Sequence, residues 1–167
     1  MDKESFLARF GGVFEHSPWV AEAVFNNLDE LHLEKMVSDA ETLAEQFRLG
    51  FLASDPSQQL ATLRAHPQLA CALADPDGLT YDSINEQNDA GLDKCSIAEL
   101  KEFKDLNTSY NDKFGFPFII AVKGQTRQEI LRTFRERLKN DFQLEFQTAL
   151  RQTCEIARFR IIDIING

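Results

Sequence analysis

Three times between positions 83 and 129 the chain places a serine or threonine three residues before a glutamate: Ser83–Glu86 in SINE, Ser96–Glu99 in SIAE and Thr126–Glu129 in TRQE. In such a capping box the hydroxyl accepts an early helical amide and the carboxylate accepts the amide of the cap residue, so the pattern marks helix starts. The last two precede amphipathic stretches of about Ile97–Lys113 and Arg127–Leu138. A final helix is expected from about Phe142 to Ile164, with Leu144, Ala149, Ile156 and Phe159 on its apolar face. Upstream, SPWVAEAVFNNL offers Ser17 as a cap and Pro18 as the first helical residue. A further helix is expected from about Leu31 to Phe47, with Gly50 as its stop. SDPSQQLATLRA again sets a cap and a proline before apolar residues at helical spacing, and ESFLARF fits a short helix ended by Gly11-Gly12. These signals predict an all-α fold, one irregular bundle of roughly six to eight helices. A length of 167 residues suits a single domain over 1–167.

One stretch refuses the helical period. KFGFPFIIAVKG, Lys113 to Gly124, is apolar, aromatic and β-branched. Pro117 within it can neither continue a helix nor donate to a sheet ladder. An extended, largely buried, non-helical connection between two helices is therefore expected. Phe114, Phe116 and Phe118 read first as core, since burial is the ordinary fate of Phe. The backbone admits a second reading: buried N–H and C=O groups that no ladder satisfies can bind a flat polar ligand. ADPDGLTYD, Ala74 to Asp82, reads as the most loop-like piece.

Charge narrows the partners. A formal net charge of −9 leaves no broad basic surface to neutralise phosphates, which argues against nucleic acid and against anionic membranes. No apolar run reaches the 18 or so residues of a membrane span. An anionic small molecule remains a possible ligand where local cations oppose the overall field. Cys71, Cys95 and Cys154 are odd in number, far apart and without a CxxC, so free thiols in a reducing compartment are expected. MDKESFLARFGG has no signal-peptide pattern and IING is not a peroxisomal tripeptide, so the expected location is cytoplasmic.

The familiar chemical motifs are missing. There is no HExxH or ExxH, and His16, His32 and His66 are not spaced to share a helical face, so no metal site is predicted. GxGxxG, GxxxxGK[ST] and GxSxG are absent too. RAHPQLA, Arg64 to Ala70, carries the sharper signal. Proline pushes its predecessor out of the α region, so His66 should end its helix and leave the regular row of side chains. There it can favour the helix dipole as a cation or reach into a cleft. The Ser83–Glu86 pair is accounted for as a capping box. The same helix start also offers free N–H groups to an anionic or carbonyl-rich ligand. Glu86 can orient a histidine or accept a ligand N–H, and Gln87 can donate and accept at once. Arg158 and Arg160, two apart on a helix, point to roughly opposite faces, so at most one can serve a given cleft as a bidentate carboxylate partner.

SPWVAEAV, LRAHPQLA, SINEQNDAGL, YNDKFGFPFIIAVKG and IARFRIIDI, in that order from about Pro18 to Ile164, together resemble the 2-oxo-4-hydroxy-4-carboxy-5-ureidoimidazoline (OHCU) decarboxylases. The resemblance implies an all-helical homodimer that works without cofactor or metal and forms (S)-allantoin in urate breakdown. It implies a proton-transferring role for His66 and a substrate contact at Pro67. Ser83, Glu86 and Gln87 match the family's serine and Glu-Gln pair. Phe118, Ile119, Ile120, Ala121 and Val122 match the segment whose backbone contacts the ring and ureido group. The C-terminal arginine of the family falls on Arg160 rather than Arg158. Cys71 and Gln68 depart from the usual residues beside HPxLA, and neither carries a role in the chemistry. Two other readings compete: a non-catalytic helical interaction module, and a lyase acting on a related ureido acid.

Overall fold

The computed structural model describes residues 1–28, 30–69 and 81–167, with residues 30–32 and 81 described by backbone alone. The described residues form nine α-helices and no β-strand, as an all-α fold requires. They are α1 (Lys3–Phe10), α2 (Trp19–Asn27), α3 (Glu30–Met36), α4 (Ala40–Leu52), α5 (Pro56–Ala65), α6 (Tyr81–Asp89), α7 (Ile97–Phe114), α8 (Arg127–Arg137) and α9 (Phe142–Asn166). A short 3₁₀ turn, Leu92–Lys94, lies between α6 and α7.

Two of the three capping boxes form. Ser96 Oγ accepts the Glu99 amide and Glu99 accepts the Ser96 amide at 2.8 Å, and Thr126 and Glu129 repeat the exchange. The third does not. Helix α6 starts at Tyr81, so Ser83 is the third helical residue rather than the cap. A Ser-x-x-Glu pair inside a helix has the same spacing as one at its start, and spacing alone cannot separate them. Tyr81 and Asp82, expected in a loop, open α6, while residues 74–80 of that loop and Cys71 lie outside the described residues.

Other boundaries also move. The single helix expected over Leu31–Phe47 is two, divided where Asp39 leaves the helical conformation and accepts the Thr42 amide at 3.2 Å. Gly50 does not stop α4 but lies inside it, where a Cβ would meet Val24 Cγ2 at 3.4 Å. Its smallness serves the close approach of α2 and α4. Ser17 does not cap α2 with its side chain, since its hydroxyl bonds Thr62 Oγ1 at 3.2 Å instead. Leu144 is 49% exposed rather than part of an apolar face. Cys154 is a buried free thiol as expected, but Cys95 is disulfide-bonded. Distance along the chain carries no information about which thiols a fold brings together.

The chain divides into two compact units, Met1–Ala65 with Leu150–Gly167, and His66–Ala149. The first has a phenylalanine core of Phe6, Phe10, Phe14, Phe47 and Phe51, with the Phe14 and Phe47 rings stacked. The second is built around Tyr110, Phe103, Phe116, Phe118 and Phe134. Phe118 lies flat on Phe134, with ring centroids 3.7 Å apart.

Candidate active site

Most of the residues singled out from the sequence belong to the second unit. Helix α5 ends at Ala65, and His66 follows outside it, half-buried, as the next residue's proline ring dictates. Pro67 is also half-buried and Leu69 is buried. The turn is anchored from α7: Asn107 Nδ2 donates to the Leu69 carbonyl at 2.8 Å. Asn107 is itself buried, and its Oδ1 accepts no hydrogen bond within the described structure.

Helix α6 turns an unusual face inward. Ser83 and Gln87 are buried and Glu86 is half-buried, followed by buried Ala90. Positions i, i+3, i+4 and i+7 share one side of a helix, a side that is normally apolar. Here it presents a hydroxyl, a carboxylate and an amide, a set able to donate and accept on a single face.

The segment after α7 supplies backbone. Gly115 ends the helix at φ 72°, in the left-handed conformation that glycine takes without penalty, and its amide caps Asn111 O at 2.8 Å. From Phe116 to Val122 every residue is buried, Pro117 included, and no helix or strand forms. The Val122 carbonyl accepts the Gln125 amide at 2.9 Å, and the Ala121 carbonyl accepts Gln125 Nε2 at 2.7 Å. The Ile119 carbonyl accepts Arg137 Nη1 at 2.7 Å. The backbone groups of Phe118 and Ile120 make no hydrogen bond to another described residue. Buried peptide groups are nearly always paired, so these are candidates for ligand contacts.

Arg137 is held in turn by Glu145, through Nε at 2.9 Å and Nη2 at 2.6 Å. Glu145 also accepts the Tyr110 hydroxyl and Asn140 Nδ2. Glu145 is wholly buried and the Arg137 side chain is 9% exposed. Burial and the neighbouring Glu145 push the Tyr110 hydroxyl far above its ordinary range, so it stays a proton donor.

Arg160 belongs to the first unit. Its side chain is 5% exposed and its Nη2 donates to Glu15 Oε2 at 3.3 Å; Glu15 is wholly buried. The adjacent His16 has φ 55°, uncommon for a residue with a Cβ, in the turn that carries Glu15 inward. Arg158 is on the outside, as two-residue spacing requires, with its fork on Glu41 at 2.7 and 2.6 Å and a further bond to Glu155. Among the described residues no group of three or more His, Cys, Asp or Glu side chains is arranged to hold a metal ion.

Glu15, Asn107, Tyr110, Arg137 and Glu145 were not singled out from the sequence. For three of them a signal existed. Asn107 and Tyr110 continue the buried row from Phe103, and Arg137 continues the row of Ile130 and Phe134. A polar side chain at apolar spacing implies a buried partner. Glu15 lies in a non-helical turn and offered no such pattern.

The sequence model for OHCU decarboxylase matches residues 1–162. The chain is 39% identical over 171 residues to the uric acid degradation bifunctional protein PucL of Bacillus subtilis (strain 168), covering 99% of this chain and 31% of that protein. The chain thus spans about a third of that relative's length. It is 36% identical to the 2-oxo-4-hydroxy-4-carboxy-5-ureidoimidazoline decarboxylase of Halalkalicoccus jeotgali, with 98% of this chain and 86% of the relative covered. The crystal structure of an (S)-allantoin synthase superposes with a TM-score of 0.77 at 29% identity, covering 99% of this chain and 51% of that one. A family match over nearly the whole length, together with a relative matched almost end to end, establishes that the chain belongs to the OHCU decarboxylase family.

Proposed function

We propose that the chain decarboxylates 2-oxo-4-hydroxy-4-carboxy-5-ureidoimidazoline to (S)-allantoin, in the cytoplasm and as a homodimer. The observation that carries the reading is the composition of the second unit. A histidine turned out of its helix, a buried polar helix face and a buried backbone with groups unpartnered among the described residues all occur within it. A flat heterocycle with a ureido arm needs that mixture of donors and acceptors against an apolar wall.

The substrate's carboxylate is on a carbon next to a ring C=N. When the bond to CO₂ breaks, its electron pair is taken up by that C=N, so the ring is its own electron sink and no cofactor is required. The ring nitrogen that received the pair takes up one proton, and a second enters at the ureido-bearing carbon while the former 4-hydroxyl gives up its own to become a carbonyl. His66 is assigned to this proton movement and Glu86 to fixing the imidazole or the ureido N–H groups. Ser83 and Gln87 are assigned to the ring. Pro67 and the backbone of Phe118, Ile119, Ile120, Ala121 and Val122 are assigned to packing and hydrogen bonding of the ligand. Arg160 is assigned to anionic oxygen on the strength of the sequence match. Delivery of the proton from one side yields one enantiomer. In the test, freshly generated substrate is mixed with the enzyme and optical activity is followed. The spontaneous reaction gives racemic allantoin, so catalysis appears as a growing optical signal of the S form. A rate and optical outcome equal to those of buffer alone overturn the assignment and favour a binding module. Turnover of another ureido acid in preference to this one favours the related lyase.

A further inference from the structure

We propose that Arg137 is a positioning residue for this reaction: held by Glu145 and Tyr110, it sets the Phe118–Val122 backbone in its ligand-binding conformation. The inference rests on the decarboxylase reading for the substrate, and on geometry for the rest. Each arm of the Arg137 fork has a separate task. Nε and Nη2 are spent on Glu145, while Nη1 reaches the Ile119 carbonyl at 2.7 Å. The guanidinium also lies over the Phe118 ring, 4.4 Å from its centroid, and that ring is stacked on Phe134. One side chain thus fixes both the ring of Phe118 and the peptide oxygen one residue later, in a stretch that has no ladder to hold it.

A buried ion pair is a poor source of stability, because desolvation offsets much of the attraction, and apolar replacements are often neutral. What this pair supplies is direction. With the Ile119 carbonyl turned to Arg137, the neighbouring peptide groups of Phe118 and Ile120 make no hydrogen bond to another described residue. Lysine keeps the charge but lacks the planar fork, so it cannot serve Glu145 twice and Ile119 together.

The test compares full-length wild type with Arg137→Lys and with the combined Tyr110→Phe, Arg137→Met, Glu145→Leu variant, which removes the network without stranding a charge. KM for the substrate, kcat, and the Kd for (S)-allantoin are measured alongside thermal unfolding. A segment that binds ground and transition states alike makes KM and Kd rise together, by about tenfold, with a smaller change in kcat. The triple variant should show the same shift while remaining folded. Folded variants with KM and Kd within about twofold of wild type overturn the inference, since the network is then packing only. Failure of every variant to fold also overturns it, because the network then serves the fold rather than the segment. Wild type that does not turn over the substrate refutes the decarboxylase reading instead, so the two failures are distinguishable.

Discussion

Replacing Glu15 by alanine removes a carboxylate from a place where neither partner meets solvent. The Arg160 side chain is 5% exposed and Glu15 is 0% exposed. Arginine stays charged in proteins, so neutralisation offers no escape from the loss. Removing one member of a buried pair typically costs about 3–5 kcal/mol, since the remaining charge stays desolvated. Domains of this size have total stabilities of roughly 5–15 kcal/mol, so the loss is a large share. With about 2–4 °C of melting temperature per kcal/mol at this length, Tm should fall by roughly 6–20 °C. The comparison is Lys3–Glu22, whose side chains are 43% and 49% exposed; there Glu22→Ala should cost no more than about 1 kcal/mol. Urea unfolding followed by far-UV circular dichroism and by the single tryptophan, Trp19 of the same unit as Glu15, gives both numbers. Adding Arg160→Met to Glu15→Ala should recover part of the loss, because the buried guanidinium goes too. A Glu15→Ala cost below about 1 kcal/mol, equal to that of the surface pair, refutes the reasoning. Activity of these variants must be read well below their transitions, because Arg160 is also assigned to the substrate.

Two further outcomes follow from the helix ends. The Glu99 carboxyl is held below its ordinary value by the Ser96 amide first and by Arg127 as well. A lowered folded value means the stabilisation is complete above the unfolded pKa, about 4.5, and fades as pH falls through the folded one. Glu99→Gln should therefore lower Tm at pH 7 and converge on wild type in acid; a Tm gap that persists or widens in acid contradicts this. Gly115→Ala forces a Cβ into the left-handed region at φ 72° and should cost about 1–2 kcal/mol in urea unfolding, and an unchanged midpoint removes the strain argument.

The helical class and the ends of α5, α7 and α8 were legible because capping and proline chemistry act over a few residues. The break at Asp39 and the start of α6 at Tyr81 were not, since each depends on which of several equivalent local signals the packed structure selects. The site divides in the same way. His66 was readable because Pro67 constrains it covalently, and Phe116 and Phe118 because composition compels burial. Ser83 was read as a helix cap, whereas it lies buried inside α6, two residues past the helix start. Arg137, Tyr110 and Glu145 come from three helices, and their meeting is a tertiary event. Polar residues at apolar spacing, Tyr110 in the row from Phe103 and Arg137 in the row of Ile130 and Phe134, hinted at buried partners without naming them. Glu15 was invisible because it lies in a non-helical turn beside His16, whose positive φ no periodic pattern announces.

The central claim is that His66 moves the proton that turns this substrate into a single enantiomer. The most direct measurement is the rate of optical-activity gain from fresh OHCU with His66→Asn, at matched concentration and with the fold checked by circular dichroism and Tm. A positioned acid–base group is worth about 10²–10⁴-fold, so the variant should lose at least about 100-fold in turnover at unchanged Tm. A folded variant that still produces (S)-allantoin at close to the wild-type rate contradicts the account.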